Sequence, residues 1–439
     1  MPHVAFIPLT GFRIREEAML ELGMSLPGFR KRGAAIGQLP ALGLLTLAGM
    51  LPAEWSCSYH PAGRVDEELV EAVCAERPTL VAISALSASI EEAYRLSMMF
   101  CERGIATVLG GLHVTACPEE ALRFGSAIVV GDGEPVWRRV LADAERGELR
   151  GIYQAKGDAE PVEWVQPRFD LLGKSIPRWT LQTQRGCPWA CEFCGASRLL
   201  GGFREKPTER IRNEIHRIRE LDPTPLIELA DDNTFAGSRD AEELLSALGE
   251  SGGKWFTEAD WRIGERSELL AGLARAGCMQ VLVGIESLVL RYPGMGKKQA
   301  ELARIMEAVE AIQGAGVAVN GCFIVGAEGE TRESLARLIE FLKGSPFAEV
   351  QVTLQTPFPG TGLYRKLKEE RRLLPDRGWS HYTLFDVTYQ PDRMSVADLE
   401  LGFREVLREV FGERETNRRE GIRRKILERN RELRRKETG

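Results

Sequence analysis

No apolar run in this sequence is long enough to cross a membrane. The longest, Leu39 to Pro52, falls well short of the roughly 20 residues that a transmembrane helix needs, and it has no signal-peptide context. A strong charge of one sign is also lacking, because the formal net charge is only −6. That balance gives no support to binding of nucleic acid or anionic membranes. We therefore expect no membrane span and no nucleic-acid partner.

The 439 residues are too many for one ordinary domain, so about two or three domains are expected. Hydrophobic residues make up 44% and charged residues 28% of the chain, which is typical of a globular protein. The nine cysteines are an odd number, and six of them are scattered in mostly apolar surroundings. This distribution predicts reduced, buried thiols in a cytoplasmic protein.

The other three cysteines are concentrated in CPWACEFC, residues 187–194. Cys187, Cys191 and Cys194 are spaced C-x3-C-x2-C and follow a strand-like run at 179–184. Three thiolates on one loop can hold an iron–sulfur cluster, and a four-iron cluster then keeps one iron open for another ligand. The alternatives are a zinc site or cysteines that are only neighbours. Zinc usually takes four ligands in two pairs, and no second pair follows.

This motif resembles that of the radical S-adenosylmethionine superfamily, C-x3-C-x-aromatic-C, with Phe193 in the aromatic position. The resemblance implies a 4Fe–4S cluster held by the three cysteines, with the amino and carboxylate groups of S-adenosylmethionine on the open iron. It further implies cleavage of the sulfonium to a 5′-deoxyadenosyl radical and an external electron donor such as flavodoxin or ferredoxin.

Short apolar runs alternate with helical patterns through the first 150 residues, with runs at 3–8, 79–84, 106–110 and 127–130. This alternation predicts an α/β domain with a Rossmann-like, doubly wound parallel sheet. Ligands of such sheets bind beyond the carboxyl ends of the strands. Those ends carry SALSASIEEA (84–93), GGLHVTACPEEA (110–121) and GDGEP (131–135). Taken singly, each is also consistent with an ordinary tight turn.

Together, and ahead of the cysteine motif, these turns resemble the cobalamin-binding domain of cobalamin-dependent radical S-adenosylmethionine enzymes. The resemblance implies corrinoid contacts from Ser84, Leu86, Ser87, Gly110, Gly111, His113, Thr115, Gly131, Gly133 and Glu134. The D-x-H-x-x-G pattern of corrinoid proteins, whose histidine ligates cobalt from below, is missing from the five histidines. Its absence suggests cobalt with no protein ligand below, or with water there. His113 is either a ligand or a hydrogen-bonding and packing residue.

From Trp179 a strand and helix pattern repeats six times. The strands are predicted at 179–184, 226–231, 255–259, 280–285, 318–325 and 349–355, and the helices at 208–221, 239–249, 267–276, 298–313 and 331–343. Six such units suit a partial (β/α)6 barrel, the architecture of radical S-adenosylmethionine cores, in which the strand carboxyl ends supply the site. The resulting units are a cobalamin-binding domain (1–150), a linker (151–178), the barrel (179–363) and a C-terminal cap with a charged helical tail (364–439).

Residues 412–439 carry eleven basic and six acidic side chains. A mixed-sign run of this kind predicts a solvated helix, with Ile422, Ile426 and Leu433 as a thin apolar stripe. The alternative is an element that contacts nucleic acid or an acidic partner.

Carboxylates recur at the predicted carboxyl ends of the barrel strands. A sulfonium cofactor with a ribose and an amino group needs carboxylates and hydroxyls around it. The resemblance therefore assigns contacts with S-adenosylmethionine to Phe193, Asp231, Glu258, Glu286 and Ser287. Asp231 has an alternative as a helix cap or a solvated turn. No residue is identified as catalytic.

The resemblance implies a methyltransferase that acts on an unactivated carbon of a small-molecule or natural-product substrate. A radical would remove a substrate hydrogen, and methylcobalamin would then supply the methyl group. One alternative is a radical enzyme that catalyses cyclisation or rearrangement, with or without bound cobalamin. A second is a non-catalytic cobalamin or redox sensor. No stretch of the sequence identifies the substrate.

Overall fold

The structure, a computed structural model, describes residues 1–11, 14–26, 39–155, 164–173 and 176–435. These residues form two parallel sheets in succession, followed by a C-terminal helical region. The predicted α/β class with a Rossmann-like sheet ahead of an open barrel is confirmed. Parts of the predicted linker (156–163 and 174–175) and the last four residues of the tail lie outside the described residues.

Six parallel strands of the described chain form the first sheet, in the order β2-β1-β3-β4-β5-β6. The strands are β1 (His3–Pro8), β2 (Ser56–Tyr59), β3 (Leu80–Ser84), β4 (Ala106–Gly110), β5 (Ala127–Val130) and β6 (Gly151–Gln154). The helices of this part are α1 (Glu17–Ser25), α2 (Leu42–Gly49), α3 (Glu67–Ala75), α4 (Ile90–Glu102), α5 (Leu112–Ala116), α6 (Pro118–Ala121) and α7 (Glu134–Glu145), with a short 3₁₀ turn at Ser87–Ser89.

Both faces of this sheet are covered, which is why its strands read as continuous apolar runs. Successive side chains of a strand point to opposite faces. In β1, Ala5 and Ile7 pack with α3 and α4, whereas Val4 and Phe6 pack with α2 and α7. The Phe6 ring lies 5.8 Å from that of Trp137 in α7. The carboxyl ends of β3, β4 and β5 therefore meet at one edge of a rigid, doubly covered sheet.

The strand β6 lies in the stretch that the sequence assigned to the linker. It pairs in parallel with β5 from Ala127↔Gly151 to Val130↔Gln154. Only Tyr153 of its four residues is buried. One buried side chain gives no alternating pattern, so the sequence carries little signal for this edge strand.

A second set of six parallel strands within the described residues forms the barrel wall, in the order β14-β13-β12-β11-β10-β7. These strands are β7 (Trp179–Leu181), β10 (Leu226–Leu229), β11 (Lys254–Ala259), β12 (Cys278–Glu286), β13 (Ala318–Val325) and β14 (Glu349–Leu354), and β8 (Gln184–Arg185) pairs with β9 (Arg204–Glu205) in a separate antiparallel hairpin. The helices are α8 (Ala196–Leu199), α9 (Thr208–Leu221), α10 (Ala241–Gly249), α11 (Ser267–Leu273), α12 (Leu302–Gly314) and α13 (Arg332–Gly344), with 3₁₀ turns at Phe169–Leu171, Trp261–Glu265 and Gly296–Lys298.

Because the strands are parallel and follow one another in chain order, their carboxyl ends form one continuous rim. Val281, Val283 and Ile285 of β12 point outward into the core shared with the helices. The intervening positions point inward, and the strand ends in Glu286 at the rim. We call this rim, with the turns that follow the strands, the barrel mouth.

The C-terminal region contacts both domains through α14 (Gly362–Glu369), α15 (Val396–Phe411), α16 (Glu413–Arg435) and a 3₁₀ turn at Trp379–His381. Trp379 Nε1 donates to the carboxylate of Glu120 in the first domain. The buried Asp386 accepts hydrogen bonds from the backbone N–H groups of Arg15 and Glu16. Within the described residues, no helix combines the length and the apolar character that crossing a membrane requires.

The prediction of a solvated C-terminal helix is wrong for one face of α16. Asn430 is fully buried, and its Nδ2 donates to the carbonyls of Cys278 and Gly316, each at 2.8 Å. Ile426 packs with Ala318 and Ala348. The helix therefore closes the barrel at the amino ends of its strands. Its high charge concealed this role, because hydrogen bonds to strand-end carbonyls hold it as much as apolar contacts do.

Replacing Asn430 with alanine is expected to remove the side-chain donor from two buried carbonyls and to lower the free energy of unfolding by about 2–3 kcal/mol. Denaturant unfolding followed by tryptophan fluorescence measures this change. Arg424→Ala is the matched control, because Arg424 is exposed on the same helix and its removal should change stability by less than about 0.5 kcal/mol. Equal midpoints for the two variants would contradict the role given to α16.

Candidate active site

The cysteine loop is held by the segment Tyr292–Gly296, which follows β12 in the chain. The backbone N–H of Ala190 donates to Gly294 O at 3.1 Å, and that of Glu192 donates to Pro293 O at 3.0 Å. A Cβ on Gly294 would run into the carbonyl of Ala190, 2.5 Å from its carbon, and the φ of Gly294 is +81°. Only glycine allows this approach without strain. The loop is therefore fixed by a second loop that lies far away in sequence.

Aromatic side chains surround the same loop. The Phe193 ring lies 4.7 Å from that of Tyr292 at an angle of 63°. Trp189 lies beneath the guanidinium of Arg262, 4.9 Å from its ring centre, and Asp260 holds that guanidinium through two hydrogen bonds of 2.9 and 2.7 Å. These contacts keep water away from one side of the loop and fix its orientation.

The thiols of the loop are partly desolvated. Burial raises the pKa of Cys191 to about 11 and also raises that of Cys187, while the nearby Lys298 ammonium acts in the opposite direction at both. A bound iron cluster supplies the positive charge that a thiolate in such surroundings needs. Among the described residues, no three His, Cys, Asp or Glu side chains are arranged to hold one metal ion. A cluster in which each thiolate binds a different iron does not require that arrangement.

Two adjacent acids follow β10, and the structure gives them different surroundings. Asp231 is buried and accepts hydrogen bonds from Thr183 N and Oγ1, Gln184 N and Thr234 Oγ1. Its oxygens are thus engaged by the chain that leads to the cysteines, so the structure does not place Asp231 as a free cofactor contact. Asp232 lies at the mouth, and burial together with Asp231 raises its pKa to about 6.

Glu258 at the end of β11 is a carboxyl group of the barrel mouth with a strongly raised pKa. Its side chain is exposed, on the side of β11 that faces the inside of the barrel. Burial raises its pKa to about 8, and the carboxylates of Asp232, Glu228 and Glu286 act in the same direction. Near neutral pH the group therefore holds a proton. A cation placed beside it would favour its ionised form.

Glu286 lies at the end of β12 with a φ of +71°, in the left-handed region that residues other than glycine rarely adopt. Its carboxylate folds back over Gly284, where a side chain would collide with it. Lys298 Nζ lies 3.9 Å from Glu286 Oε1. Burial lowers the pKa of Lys298, but Glu286 and the two cysteines outweigh that effect and raise it. Backbone strain of this kind persists where the surrounding structure holds the residue in place, as it often does at functional sites.

Ser287, the next residue, has an oxygen that is already in use. Its Oγ accepts hydrogen bonds from the backbone N–H groups of Val289 and Leu290, each at 3.1 Å. Only its hydroxyl hydrogen remains for a ligand.

The predicted corrinoid turns contact one another at the carboxyl edge of the first sheet. Gly131 N donates to Thr115 Oγ1 at 3.0 Å, and His113 Nδ1 is hydrogen-bonded to Ser87 Oγ at 3.0 Å. A Cβ on Gly111 would lie 3.3 Å from Ser84 Oγ, at a φ of +112°. The side chain of Leu86 is 59% exposed, and the space beside Gly131 is open. This edge thus offers a flat apolar ligand both room and an exposed leucine.

Three of the predicted corrinoid contacts are engaged by other parts of the protein. The ring of His113 is fully enclosed, with the ring of Trp379 packed edge-on at 4.8 Å, so neither ring nitrogen is exposed to a ligand. Glu134 is buried and accepts a hydrogen bond from Arg185 of the barrel at 2.8 Å. Gly133 packs against Leu47 in α2, and a Cβ on this glycine would lie 3.2 Å from the Leu47 side chain. These residues support the turns from behind.

The two sets of turns adjoin one another. Helix α5 of the first domain packs on α8, which begins two residues after Cys194. A Cβ on Gly360 would lie 2.7 Å from Leu199 and 3.2 Å from Ala116, so the two helices meet across this glycine. A groove of about 1250 Å³ lies elsewhere, between α10 and α11, and no predicted site residue lines it.

The two sheets and the cysteine loop thus define an iron–sulfur enzyme scaffold joined to a Rossmann-like ligand-binding domain. Residues 33–141 match the B12 binding domain family and residues 181–342 match the Radical SAM superfamily. The chain belongs to the cobalamin-dependent radical S-adenosylmethionine enzymes, as the sequence predicted. Its cofactors are accordingly a 4Fe–4S cluster, S-adenosylmethionine and cobalamin.

Individual relatives differ in the reaction that they catalyse. Bacteriochlorophyllide d C-12(1)-methyltransferase of Chlorobaculum tepidum is 24% identical over 76% of this chain and 74% of its own length. The anaerobic magnesium-protoporphyrin IX monomethyl ester cyclase of Rubrivivax gelatinosus is 24% identical over 85% of this chain and 74% of its own length. The solved structure of OxsB with aqua-cobalamin shares the fold, with a TM-score of 0.68 and 15% identity over 99% of this chain and 72% of that one.

Proposed function

We propose that this radical S-adenosylmethionine enzyme is a cobalamin-dependent methyltransferase that methylates an unactivated carbon of a small molecule. The observation that carries the proposal is the packing of α5, which follows the turn at Gly110 and Gly111, against α8, which follows the cysteine loop. A substrate held between the two sites would lie within reach of both cofactors. Methyltransferases among the relatives support the same reaction.

When bound, the three cofactors supply radical chemistry and a transferable methyl group. The chain's own residues bind, orient and shield them. We propose that Asp232, Glu258 and Glu286 surround the sulfonium, ribose and amino groups of S-adenosylmethionine, in place of the predicted set that included Asp231. Lys298 offsets the charge of Glu286 and of the cluster thiolates. Ser287 donates its hydroxyl hydrogen, and Phe193 closes the apolar side of the loop.

On the corrinoid side, we propose that Leu86 and the backbone at Gly110, Gly111 and Gly131 contact the ring. Ser84, Ser87 and Thr115 shape the turns that present these contacts. Because His113 is enclosed, it acts on those turns and does not ligate cobalt from below. The enzyme also requires an external one-electron donor, such as flavodoxin or ferredoxin.

The second candidate function is a radical reaction without methyl transfer, and the cyclase among the relatives favours it. The two reactions leave different products of S-adenosylmethionine, and neither product needs a known substrate to be detected. Methyl donation leaves S-adenosylhomocysteine, whereas reductive cleavage alone leaves 5′-deoxyadenosine.

The test incubates cluster-loaded protein with cobalamin, a chemical reductant and S-adenosylmethionine labelled in its methyl group. The proposal predicts S-adenosylhomocysteine and label in the corrinoid fraction. 5′-Deoxyadenosine with no label in the corrinoid would instead establish the non-methylating reaction. If neither product forms, both enzymatic functions are contradicted and a sensor role is favoured.

The pH dependence of cofactor binding follows from Glu258. Its pKa of about 8 in the unliganded protein means that it is mostly protonated at pH 7. A cationic ligand favours the ionised carboxylate, so affinity for S-adenosylmethionine should rise with pH and level off above the unliganded pKa. Ionisation of Glu258 alone is expected to contribute about tenfold to the rise between pH 7 and pH 9, in addition to the contribution of the ligand's own amino group. Isothermal titration of the cluster-loaded protein measures it.

Glu258→Gln is the comparison for this measurement. Glutamine cannot ionise, so the variant keeps only the part of the pH dependence that comes from the amino group of the ligand itself. The variant should therefore show a shallower rise and release fewer protons on binding. Equal slopes for both proteins would show that Glu258 does not face the cofactor.

A further inference from the structure

The guanidinium of Arg185 joins the two domains, and both of its carboxylate partners come from one turn of the first domain. Nη1 donates to Asp132 Oδ1 and Nη2 donates to Glu134 Oε1, each at 2.8 Å. The three side chains are between 6% and 15% exposed. Burial opposes the charge of Arg185, but Glu134 and Asp132 outweigh it, so the pKa of Arg185 is raised. The group is therefore charged and held in a bidentate arrangement.

A second arginine completes the contact. Arg204 is the cross-strand partner of Arg185 in the β8–β9 hairpin, and its Nη2 lies 2.8 Å from Asp132 Oδ2. Two like charges directly opposite each other are unfavourable unless an anion lies between them. Asp132 supplies that anion, so two carboxylates of the first domain balance two guanidiniums of the barrel. The ring of Trp164 covers Arg185 from a further side, at 5.3 Å.

Arg185 lies close to the cluster loop in the sequence. Gly186 alone separates it from Cys187, with a φ of +76°. A Cβ there would lie 3.6 Å from the carbonyl oxygens of Gly201 and Gly202, which is ordinary van der Waals contact. The backbone of Arg185, whose side chain is anchored to the first domain, is thus one residue away from the first cysteine of the motif.

The other end of the contact is a corrinoid turn. Asp132 lies in the turn after β5 that starts at Gly131, and Glu134 begins α7 at the end of that turn. The N–H of Gly131 donates to Thr115 Oγ1. The open face of this turn at Gly131 is the one proposed to meet the corrinoid. The backbone of this turn is thus proposed to contact cobalamin, and the carboxylates of Asp132 and Glu134 accept hydrogen bonds from Arg185 beside the cluster loop.

We propose that Arg185 is a positioning residue that fixes the distance and orientation between the corrinoid and the cluster. The inference rests on the proposed placement of both cofactors. Buried ion pairs add little net stability but hold a specific geometry, and removing one partner leaves an uncompensated charge. Loss of the guanidinium deprives Glu134 of its partner and frees the cysteine loop from the turn.

The experiment measures the distance between the two cofactors in the holoenzyme. Reduced 4Fe–4S cluster and cob(II)alamin each carry unpaired spin, so pulsed electron paramagnetic resonance reports the distribution of distances between them. Wild-type protein should give one narrow distribution. Arg185→Met should bind both cofactors in wild-type amounts but give a shifted distribution, or one about twice as wide. Arg185→Lys, which keeps the charge but loses the fork, should fall between the two.

Arg204→Met is the matched control, since Arg204 is more exposed and contacts only one of the two acids, and it should change the distribution less than Arg185→Met does. A wild-type distribution of distances in Arg185→Met would overturn the proposal. Loss of the cluster from both Arg185→Met and Arg185→Lys would also overturn it, because Arg185 would then be needed for folding of the loop.

No corrinoid in the wild-type protein would refute both this inference and the proposed cofactor arrangement. Intact distances without S-adenosylhomocysteine would contradict the methyltransferase proposal alone.

Discussion

Cys191→Ala is expected to abolish the iron–sulfur chromophore and to reduce reductive cleavage of S-adenosylmethionine to the background of protein-free controls. Cys191 is the most buried thiol of the motif, and burial raises its pKa to about 11. The surroundings of Cys191 disfavour its thiolate unless a cluster is bound to it. Alanine has no thiolate, so one iron of the cluster would lose its ligand. Iron and sulfide analysis after anaerobic reconstitution, with liquid chromatography of 5′-deoxyadenosine, measures both effects.

Cys101→Ala is the matched control for this substitution. Cys101 is an exposed cysteine of α4 outside the motif, and its loss should leave iron content and cleavage unchanged. A full cluster in Cys191→Ala, or cleavage that persists in it, would mean that the three cysteines do not form the site.

Gly294→Ala is expected to remove most of the cluster without touching any cysteine. The added methyl group would run into the carbonyl of Ala190 and would lie 3.1 Å from Cys191 N. Its backbone conformation, with φ at +81°, is also unfavourable for alanine. The clash and the strain together should cost about 2–4 kcal/mol, which the structure can relieve by releasing the cysteine loop. Iron content and the visible spectrum of reconstituted protein report the release.

Two other glycines separate the causes. Gly104 has a φ of +75° with open space around a Cβ, so Gly104→Ala introduces backbone strain alone. Gly314 ends α12 with ordinary backbone angles and open space, so Gly314→Ala introduces neither effect. Both controls should retain the cluster. If Gly294→Ala retained it equally well, the account of how the cysteine loop is held would be wrong.

Elements with strong periodicity were predictable from the sequence. The helix Thr208–Leu221 and the strand Ala318–Val325 have the predicted bounds, because one is amphipathic and the other is a mostly apolar run between turns. The cysteine motif and the glycine-rich turns were equally readable, since their spacing reflects chemistry and backbone geometry rather than packing. These features were sufficient to predict the fold class and the family.

The direction of side chains beyond a strand end was not predictable. The strand predicted at 226–231 ends at Leu229, so Asp231 and Asp232 lie in a turn where alternation no longer applies. Which of the two acids is engaged by Thr183 depends on the path of a distant strand. Lys298 was predicted to begin a helix, but it lies in a 3₁₀ turn facing Glu286. The dense glycines at 294 and 296 were the one local signal that this segment packs tightly against another.

Buried polar contacts between distant segments were not predictable either. Arg185, Asn430 and Glu134 are polar residues in polar contexts, and nothing local distinguishes them from solvated side chains. Their burial follows from how the domains and the terminal helix come together. The open predictions for individual cofactor contacts depend on the same long-range arrangement, and the variants proposed above test them one at a time.

The most direct test of the whole account is the cofactor content of one preparation. The protein is reconstituted anaerobically with iron and sulfide, supplied with hydroxocobalamin, desalted, and analysed for iron, sulfide and corrinoid with its absorption spectrum. The account predicts about four irons with matching sulfide and about one retained corrinoid per chain. Cluster bands without retained corrinoid, or a single bound metal ion without sulfide, would contradict it.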